Sequence, residues 1–209
     1  MTRVPVIGLV GGVGSGKSAV AAALARRGGC VVDADALGHR ALRQPELMAR
    51  ILARWPQVHA DDGIDRRKLG SIVFGDAAAR RELESIVHPW IVQRIRDELA
   101  ACNGPFAVVD APLLLEAGLR GDCDLVAFVD VPAAERARRV ATRGWSADEL
   151  ARREAAQMPL AEKRRLADIV VNNAGSPQEL DAQVERLLER LPERFCEASR
   201  TGTEGGRDA

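Results

Sequence analysis

The chain has 209 residues, and its 30 basic and 30 acidic side chains give a formal net charge of zero. Balanced charge supplies no broad positive field for nucleic acid or a membrane surface, and an aromatic content of 3% without Tyr disfavours a base-stacking surface. No apolar run approaches the roughly 18 residues of a membrane span. We therefore expect a globular protein that binds neither nucleic acid nor membrane, and we expect a monomer.

The first predicted elements are a buried strand at Val4–Leu9 and a helix at Lys17–Arg27, joined by a glycine-rich loop. The loop, Gly11 to Ser18, fits G-x-x-x-x-G-K-[ST]. Backbone amides of such a loop and of the helix N-terminus bind phosphates, the Lys neutralises the β/γ-phosphates and the Ser hydroxyl ligates Mg²⁺. The predicted ATP contacts are Gly12, Val13, Gly14, Ser15, Gly16, Lys17 and Ser18. A plain flexible glycine turn fits this register poorly.

A second short strand, residues 30–33, ends at Asp33-Ala34-Asp35, and we expect it beside the glycine loop. A kinase that acts on an alcohol needs a base to orient and deprotonate the hydroxyl. Asp33 is our candidate for this base, and capping of the next helix is its alternative role. Asp35 is a candidate substrate contact, although capping fits it better.

Residues 45–101 show no buried strand pattern, and we interpret them as helical. The predicted helices are Glu46–Trp55, Arg66–Phe74, Asp76–Val87 and Trp90–Ala101. His88-Pro89 is expected to separate the last two, since Pro lacks the amide that an interior helical position requires. His88 either contacts the acceptor or fills the helix junction.

The α/β pattern resumes with strands near 106–110, 124–129 and 168–171. Asp110 closes the first of these in the manner of a Walker B strand and is a candidate Mg²⁺ ligand, the alternative being a polar residue that only ends a strand. The apolar turn that follows contains Leu113, a candidate wall of the substrate site. Ser146 and Ser176 each start a capping pattern for a further helix.

An arginine-rich stretch follows the 124–129 strand. Arg136, Arg139 and Arg143 share one helical face, and Arg152, Arg153 and Lys163 to Arg165 come after them. Guanidinium groups on a mobile helical pair can stabilise charge at the transition state, so we predict catalytic roles for Arg139 and Arg143. The alternative is a solvated, salt-bridged helix face.

These elements predict an α/β fold: a five-stranded parallel sheet of the P-loop type, similar to nucleoside monophosphate kinases. The predicted organisation is a nucleotide-binding core at residues 1–33, 103–135 and 166–195, with a helical acceptor domain at 34–102 and a lid at 136–165. We expect residues 196–209 to form a disordered tail.

Four cysteines, Cys30, Cys102, Cys123 and Cys196, form no C-x-x-C pair and do not cluster with the three His. This spacing predicts neither a zinc site nor a disulfide framework. With no signal-peptide pattern at the N-terminus, it favours a reducing, cytoplasmic location.

The sequence resembles the dephospho-coenzyme A kinase family. The resemblance runs over about residues 4–190 and rests on the glycine loop, Asp33-Ala34-Asp35, Leu83-Glu84-Ser85-Ile86-Val87-His88-Pro89 and Pro112-Leu113-Leu114 with Glu116. It implies transfer of phosphate from ATP to the ribose 3′-hydroxyl of dephospho-CoA, with Asp33 as base, Mg²⁺ as cofactor and Asn173 near the adenine. The family often has Arg where this chain has His39.

Two other readings compete with this one. Another small-acceptor P-loop kinase, for a nucleotide or a sugar, fits the helical insert equally well. A GTPase switch would need an Asn-Lys-x-Asp motif, which this sequence lacks.

Overall fold

The computed structural model describes residues 3–191 and contains a five-stranded sheet and a two-stranded hairpin. The strands are β1 Val6–Gly11, β2 Cys30–Asp33, β3 His59–Ala60, β4 Gly63–Ile64, β5 Ala107–Asp110, β6 Leu125–Asp130 and β7 Ile169–Asn172. The predicted tail, residues 196–209, lies outside the described residues.

The main sheet has the order β2-β5-β1-β6-β7 and is parallel, as predicted. Register pairs Leu9 of β1 with Asp110 of β5 on one side and with Ala127 of β6 on the other. The expectation that β2 lies directly beside the glycine-loop strand was wrong, because β5 intervenes. The strand that ends next to the glycine loop is therefore the one that carries Asp110.

Nine α-helices are found within residues 3–191. They are α1 Lys17–Ala25, α2 Ala34–Ala41, α3 Pro45–Arg54, α4 Arg66–Gly75, α5 Ala77–Ala100, α6 Ala133–Ala141, α7 Ala147–Ala155, α8 Leu160–Leu166 and α9 Pro177–Leu188. The capping box of Ser176 and Glu179 starts α9 as predicted, and Ser146 caps α7. The short helix α8 was not predicted.

The main core lies between the sheet and helices α1 and α9. All six residues of β1 are buried, which explains its continuous apolar sequence, since a central parallel strand is covered on both faces. Val20 and Leu24 of α1 and Val184 and Leu187 of α9 pack into the same cluster and are fully buried. This packing fixes β1 and α1, between which the glycine loop runs.

The chain divides into two compact units. One takes the chain up to Val32 and again from Glu98 onward, and the other is Asp33–Asp97. The second unit has its own core around Ile51, Trp55 and Val58, none more than 3% exposed. This unit contains the small β3–β4 hairpin in addition to its helices. The helical acceptor domain expected at residues 34–102 stays a prediction.

Helix α5 corrects the predicted break at His88-Pro89. It runs without interruption over 24 residues and contains Pro89 in its interior. Ile86 and Val87 are buried on one side of Pro89 and Ile95 on the other. Burial on both sides offsets the hydrogen bond that Pro89 cannot donate, so one helix replaces two. There is consequently no helix junction for His88 to fill.

A second correction concerns the cysteines. Cys30 and Cys102 form a disulfide, with sulfur atoms 2.10 Å apart, although sequence spacing predicted none. The two residues are 72 positions apart, so only the tertiary fold brings them together. Cys123 is a free, buried thiol, and burial raises its pKa to about 12. A thiol with that pKa is unreactive at neutral pH.

Candidate functional site

The glycine loop has the backbone of a phosphate cradle. Gly14 and Gly16 have φ of 77° and 80°, in the left-handed region that favours glycine. Gly16 is also the N-cap of α1, and Ser15 N donates to the carbonyl of Gly12 at 3.1 Å. Because the first-turn amides of a helix lack partners within it, the N-terminus of α1 provides donors for an anion.

Two buried side chains brace this loop from outside it. Asn173 follows β7, is 7% exposed, and its amide nitrogen donates to the carbonyl of Ser15 at 2.8 Å. Arg136 of α6 is also 7% exposed, contacts Glu154, and donates to the carbonyl of Val13 at 3.3 Å. Both side chains therefore bind the loop through its carbonyls and not through its amides.

The side chains of Asn173 and Arg136 leave no room for a Cβ at two glycines of the loop. A Cβ on Gly12 would lie 2.7 Å from Nη1 of Arg136, and a Cβ on Gly16 would collide with the Asn173 amide. The hydroxyl of Ser15 is buried and has no hydrogen-bond partner among the described residues. Close packing therefore explains glycines that phosphate binding alone does not.

The lysine and serine of the loop lie at the start of α1. Lys17 is its first residue and is half-buried, and Ser18 is exposed. Ser18 Oγ donates a hydrogen bond to Oδ2 of Asp110 at 3.1 Å. A hydroxyl and a carboxylate side by side are hard oxygen ligands of the kind that Mg²⁺ prefers, so the residues present fit the predicted metal. No group of three or more His, Cys, Asp or Glu suited to a metal occurs within residues 3–191.

Arg139 and Arg143, the predicted catalytic arginines, have different surroundings. Arg139 donates to the Asn173 carbonyl at 2.8 Å, to the Ser15 carbonyl at 3.4 Å and to Glu135 at 2.9 Å. Arg143 follows the end of α6 and is exposed. Arg139 thus contacts the loop backbone, and its catalytic role stays a prediction, as does that of Arg143.

Glu135, near the start of α6, forms ion pairs with two arginines of the same helix. It accepts hydrogen bonds from Arg138 and Arg139, which lower the pKa of its carboxyl to about 2. Farther along the predicted lid, Arg152 pairs with Glu149, and the Arg153 guanidinium lies 4.0 Å from the ring centre of Trp145. Much of the predicted lid is therefore the salt-bridged face that was its alternative interpretation.

In the helical unit, Asp33 is the N-cap of α2, and its Oδ1 accepts a hydrogen bond from Ala36 N at 3.0 Å. The capping role proposed as an alternative is thus present, and one carboxylate oxygen is not used by this bond. Asp35 is exposed in the first turn of α2, and His88 is half-buried in α5. Their substrate contacts stay predictions.

The helical unit also contains an open cavity of about 600 Å³. Its lining includes the basic side chains His39, Arg43 and Arg66, the carboxylates of Asp61 and Asp62, and the apolar side chains Leu42, Met48 and Leu52. Nε2 of His39 contacts the Arg66 guanidinium, which can only donate, so this nitrogen accepts. A cavity with charged and apolar sides suits a polar ligand with an apolar arm. The sequence did not indicate it, because its lining residues come from four separate parts of the chain: the α2 region, α3, the β3–β4 hairpin and α4.

Comparison with known proteins decides the family. The family model for dephospho-CoA kinase (CoaE) matches residues 5–179. The chain belongs to the dephospho-CoA kinase family. A relative named dephospho-CoA kinase from Thermobifida fusca is 40% identical over 194 residues, covering 90% of this chain and 97% of that protein. One from Frankia casuarinae is 43% identical, covering 88% and 82%.

Solved structures agree with this assignment. The crystal structure of TT1252 from Thermus thermophilus is similar with a TM-score of 0.80 and 37% identity, covering 91% of this chain and all of that one. A dephospho-CoA kinase from Campylobacter jejuni has a TM-score of 0.64 at 23% identity, covering 88% and 95%, and shows the shared fold. Within residues 3–191, no helix combines the length and apolar character that crossing a membrane requires.

Proposed function

We propose that this protein transfers the γ-phosphoryl group of ATP to the ribose 3′-hydroxyl of dephospho-CoA, giving coenzyme A. The observation that carries the proposal is the hydrogen-bonded pair of Ser18 and Asp110 at the head of a P-loop, a set of oxygen ligands that phosphoryl transfer uses. Membership of the dephospho-CoA kinase family favours this acceptor over a nucleotide or a sugar.

Each candidate residue has a distinct role in this reaction. The loop amides and Lys17 bind the β- and γ-phosphates, and Ser18 and Asp110 hold Mg²⁺. A bound Mg²⁺ would neutralise negative charge on the phosphates. Asp33 accepts the proton of the attacking hydroxyl through the carboxylate oxygen that its capping bond leaves unused.

The acceptor is bound by the helical unit in this proposal. The cavity offers basic groups for the diphosphate of dephospho-CoA and an apolar wall for its pantetheine arm. Leu113, Asp35 and His88 are further substrate contacts. Residues 136–165 act as the lid that excludes water, which would otherwise hydrolyse ATP. We propose a cytoplasmic monomer, as the sequence analysis expects.

The test is product identification. The purified protein is incubated with Mg-ATP and, separately, with dephospho-CoA, nucleoside monophosphates or gluconate, and products are separated and identified by mass. We expect one added phosphate on dephospho-CoA alone, at the 3′ position. Lys17→Met serves as the matched blank, because it removes the phosphate-binding cation. Phosphorylation of another acceptor in preference to dephospho-CoA would contradict the proposal.

A further inference from the structure

Lys163 differs from every other basic side chain of α8. It is fully buried, at 0% exposure, whereas the neighbouring Arg164 and Arg165 side chains are 51% and 71% exposed. Lysine is almost never fully buried unless its ammonium is paired. Lys163 follows the lid arginines in the sequence and was predicted together with Arg164 and Arg165, but the structure separates it from them.

The Lys163 ammonium has three acceptors, which matches its three protons. Nζ lies 2.9 Å from the carbonyl oxygen of Pro112, 3.1 Å from Oε1 of Gln157 and 3.0 Å from Oε1 of Glu116. The same oxygen of Glu116 accepts a hydrogen bond from Met158 N at 2.8 Å. A single ammonium thus joins the turn after β5 to the link between α7 and α8.

The turn held in this way begins just after Asp110, the candidate metal ligand. Pro112 and Glu116 are its two anchors, and Leu113, the candidate substrate contact, lies between them. Ala117 N donates to the Leu113 carbonyl at 2.8 Å, and Leu114 is fully buried. With both anchors fixed and the next residue packed in the core, the path of the chain at Leu113 is set.

We propose that Lys163 is a positioning residue for the acceptor: it holds the Pro112–Glu116 turn so that Leu113 meets the substrate in one fixed arrangement. The inference rests on the proposed function and assigns Lys163 no contact with a reacting atom. Asn173 and Arg136 have a different role from Lys163, because they contact the glycine loop and so act on the ATP side.

A positioning role and a purely stabilising role of Lys163 have different effects on ligand affinity. If Lys163 only stabilised the fold, its loss would lower thermal stability and leave the affinities of the folded protein unchanged. If it positions the turn, affinity for dephospho-CoA falls while affinity for ATP holds, since the ammonium of Lys163 is bound by Pro112, Gln157 and Glu116 rather than by the glycine loop.

The experiment compares Lys163→Met with Arg26→Met in the full chain. Met keeps the aliphatic length and removes the donors. Arg26, which is 60% exposed and pairs with Asp181 at 2.9 Å, gives a matched loss of a paired cation at a position outside the lid and the glycine loop. Calorimetric binding of dephospho-CoA and of ATP is measured with steady-state kinetics. For Lys163→Met we expect the acceptor Kd and KM to rise about tenfold and the ATP Kd to change less than about twofold. Arg26→Met should match the wild type.

Glu116→Gln is the second variant, in case Lys163→Met does not fold. It keeps the shape and an acceptor oxygen but removes the charge, so a smaller rise in the acceptor Kd is expected. The positioning role would be overturned, and the proposed function left standing, if the acceptor and ATP affinities both stayed at wild-type values or both fell equally. A wild-type protein that neither binds nor phosphorylates dephospho-CoA would overturn the proposed function together with it.

Discussion

The glycine loop and the helical unit hold their candidate residues in opposite ways. Around the loop, Asn173 and Arg136 are buried polar side chains with loop carbonyls as partners. In the helical unit, Asp33, His39 and Arg66 are exposed. Within residues 3–191, the loop carbonyls have buried side-chain donors, whereas in the helical unit Asp33 contacts Ala36 and His39 contacts Arg66.

This difference affects how each region would bind its ligand. A triphosphate is short and concentrates its charge, so a rigid cradle of amides can bind it at little cost in ordering. Dephospho-CoA is long and flexible, and exposed basic groups can meet its charges without a preformed fit. The comparison can be tested by removing one group from each region.

The largest effect is expected from Asp33→Asn. Asn remains a good N-cap, so α2 and the fold should be kept, while the proton acceptor is lost. We expect kcat to fall by about 100- to 10,000-fold and ATP binding to be retained. Single-turnover transfer to dephospho-CoA and calorimetric ATP binding measure the two.

The matched control is Asp65→Asn. Asp65 caps α4 in the same unit, with Oδ1 accepting from the amides of Arg67 and Lys68. Its variant changes a cap without removing the proposed base and should keep kcat within about twofold of the wild type. Wild-type turnover by Asp33→Asn would rule out Asp33 as the base.

A smaller effect is expected from Asn173→Ala on the loop side. The Ser15 carbonyl loses its shorter hydrogen bond and keeps the longer one from Arg139, so the free energy of unfolding should fall by about 1 kcal/mol. The ATP Kd should rise and the dephospho-CoA Kd should hold. Urea unfolding and calorimetry measure these changes. The neighbouring Asn172 is exposed, and an Asn172→Ala variant that lost as much ATP affinity would contradict the bracing role.

The smallest effect is a pH dependence at Glu135. Because its folded pKa, about 2, lies below the ordinary value of 4.5, its pairing with Arg138 and Arg139 contributes stability above about pH 4.5 that is lost as the pH falls through about 2. In Glu135→Gln the free energy of unfolding should therefore fall less steeply over this interval. Urea titrations at successive pH values measure the slope. Arg138→Met should reduce it in part, and identical slopes in all three proteins would contradict the prediction.

The sequence was most informative about features that depend on local backbone conformation. Strand patterns, glycine spacing and the Ser176 cap are local signals, and they predicted the parallel sheet, the loop and the start of α9. The unbroken helix through Pro89 depends on burial of both of its halves, which no local rule about proline contains.

The other features that the sequence did not predict are contacts between distant segments of the chain. Lys163 and Arg136 have the composition of a solvated helix face, and only the tertiary fold gives them buried partners at Pro112 and Val13. The cavity of the helical unit and the disulfide likewise join residues far apart in the sequence. For the candidate site, the phosphate-binding half was therefore predictable from residues 11–18, and the bracing shell was not.

The disulfide has a topological consequence for the inserted unit. Cys30 precedes the point where the chain enters Asp33–Asp97, and Cys102 follows the point where it leaves. The bond therefore closes a covalent ring that contains the whole inserted unit. A chain cut once anywhere inside that ring remains a single molecule while the bond is oxidised, and it separates into two fragments on reduction. The thiol state of two residues outside the insert thus decides whether the molecule is a linear chain or a looped one.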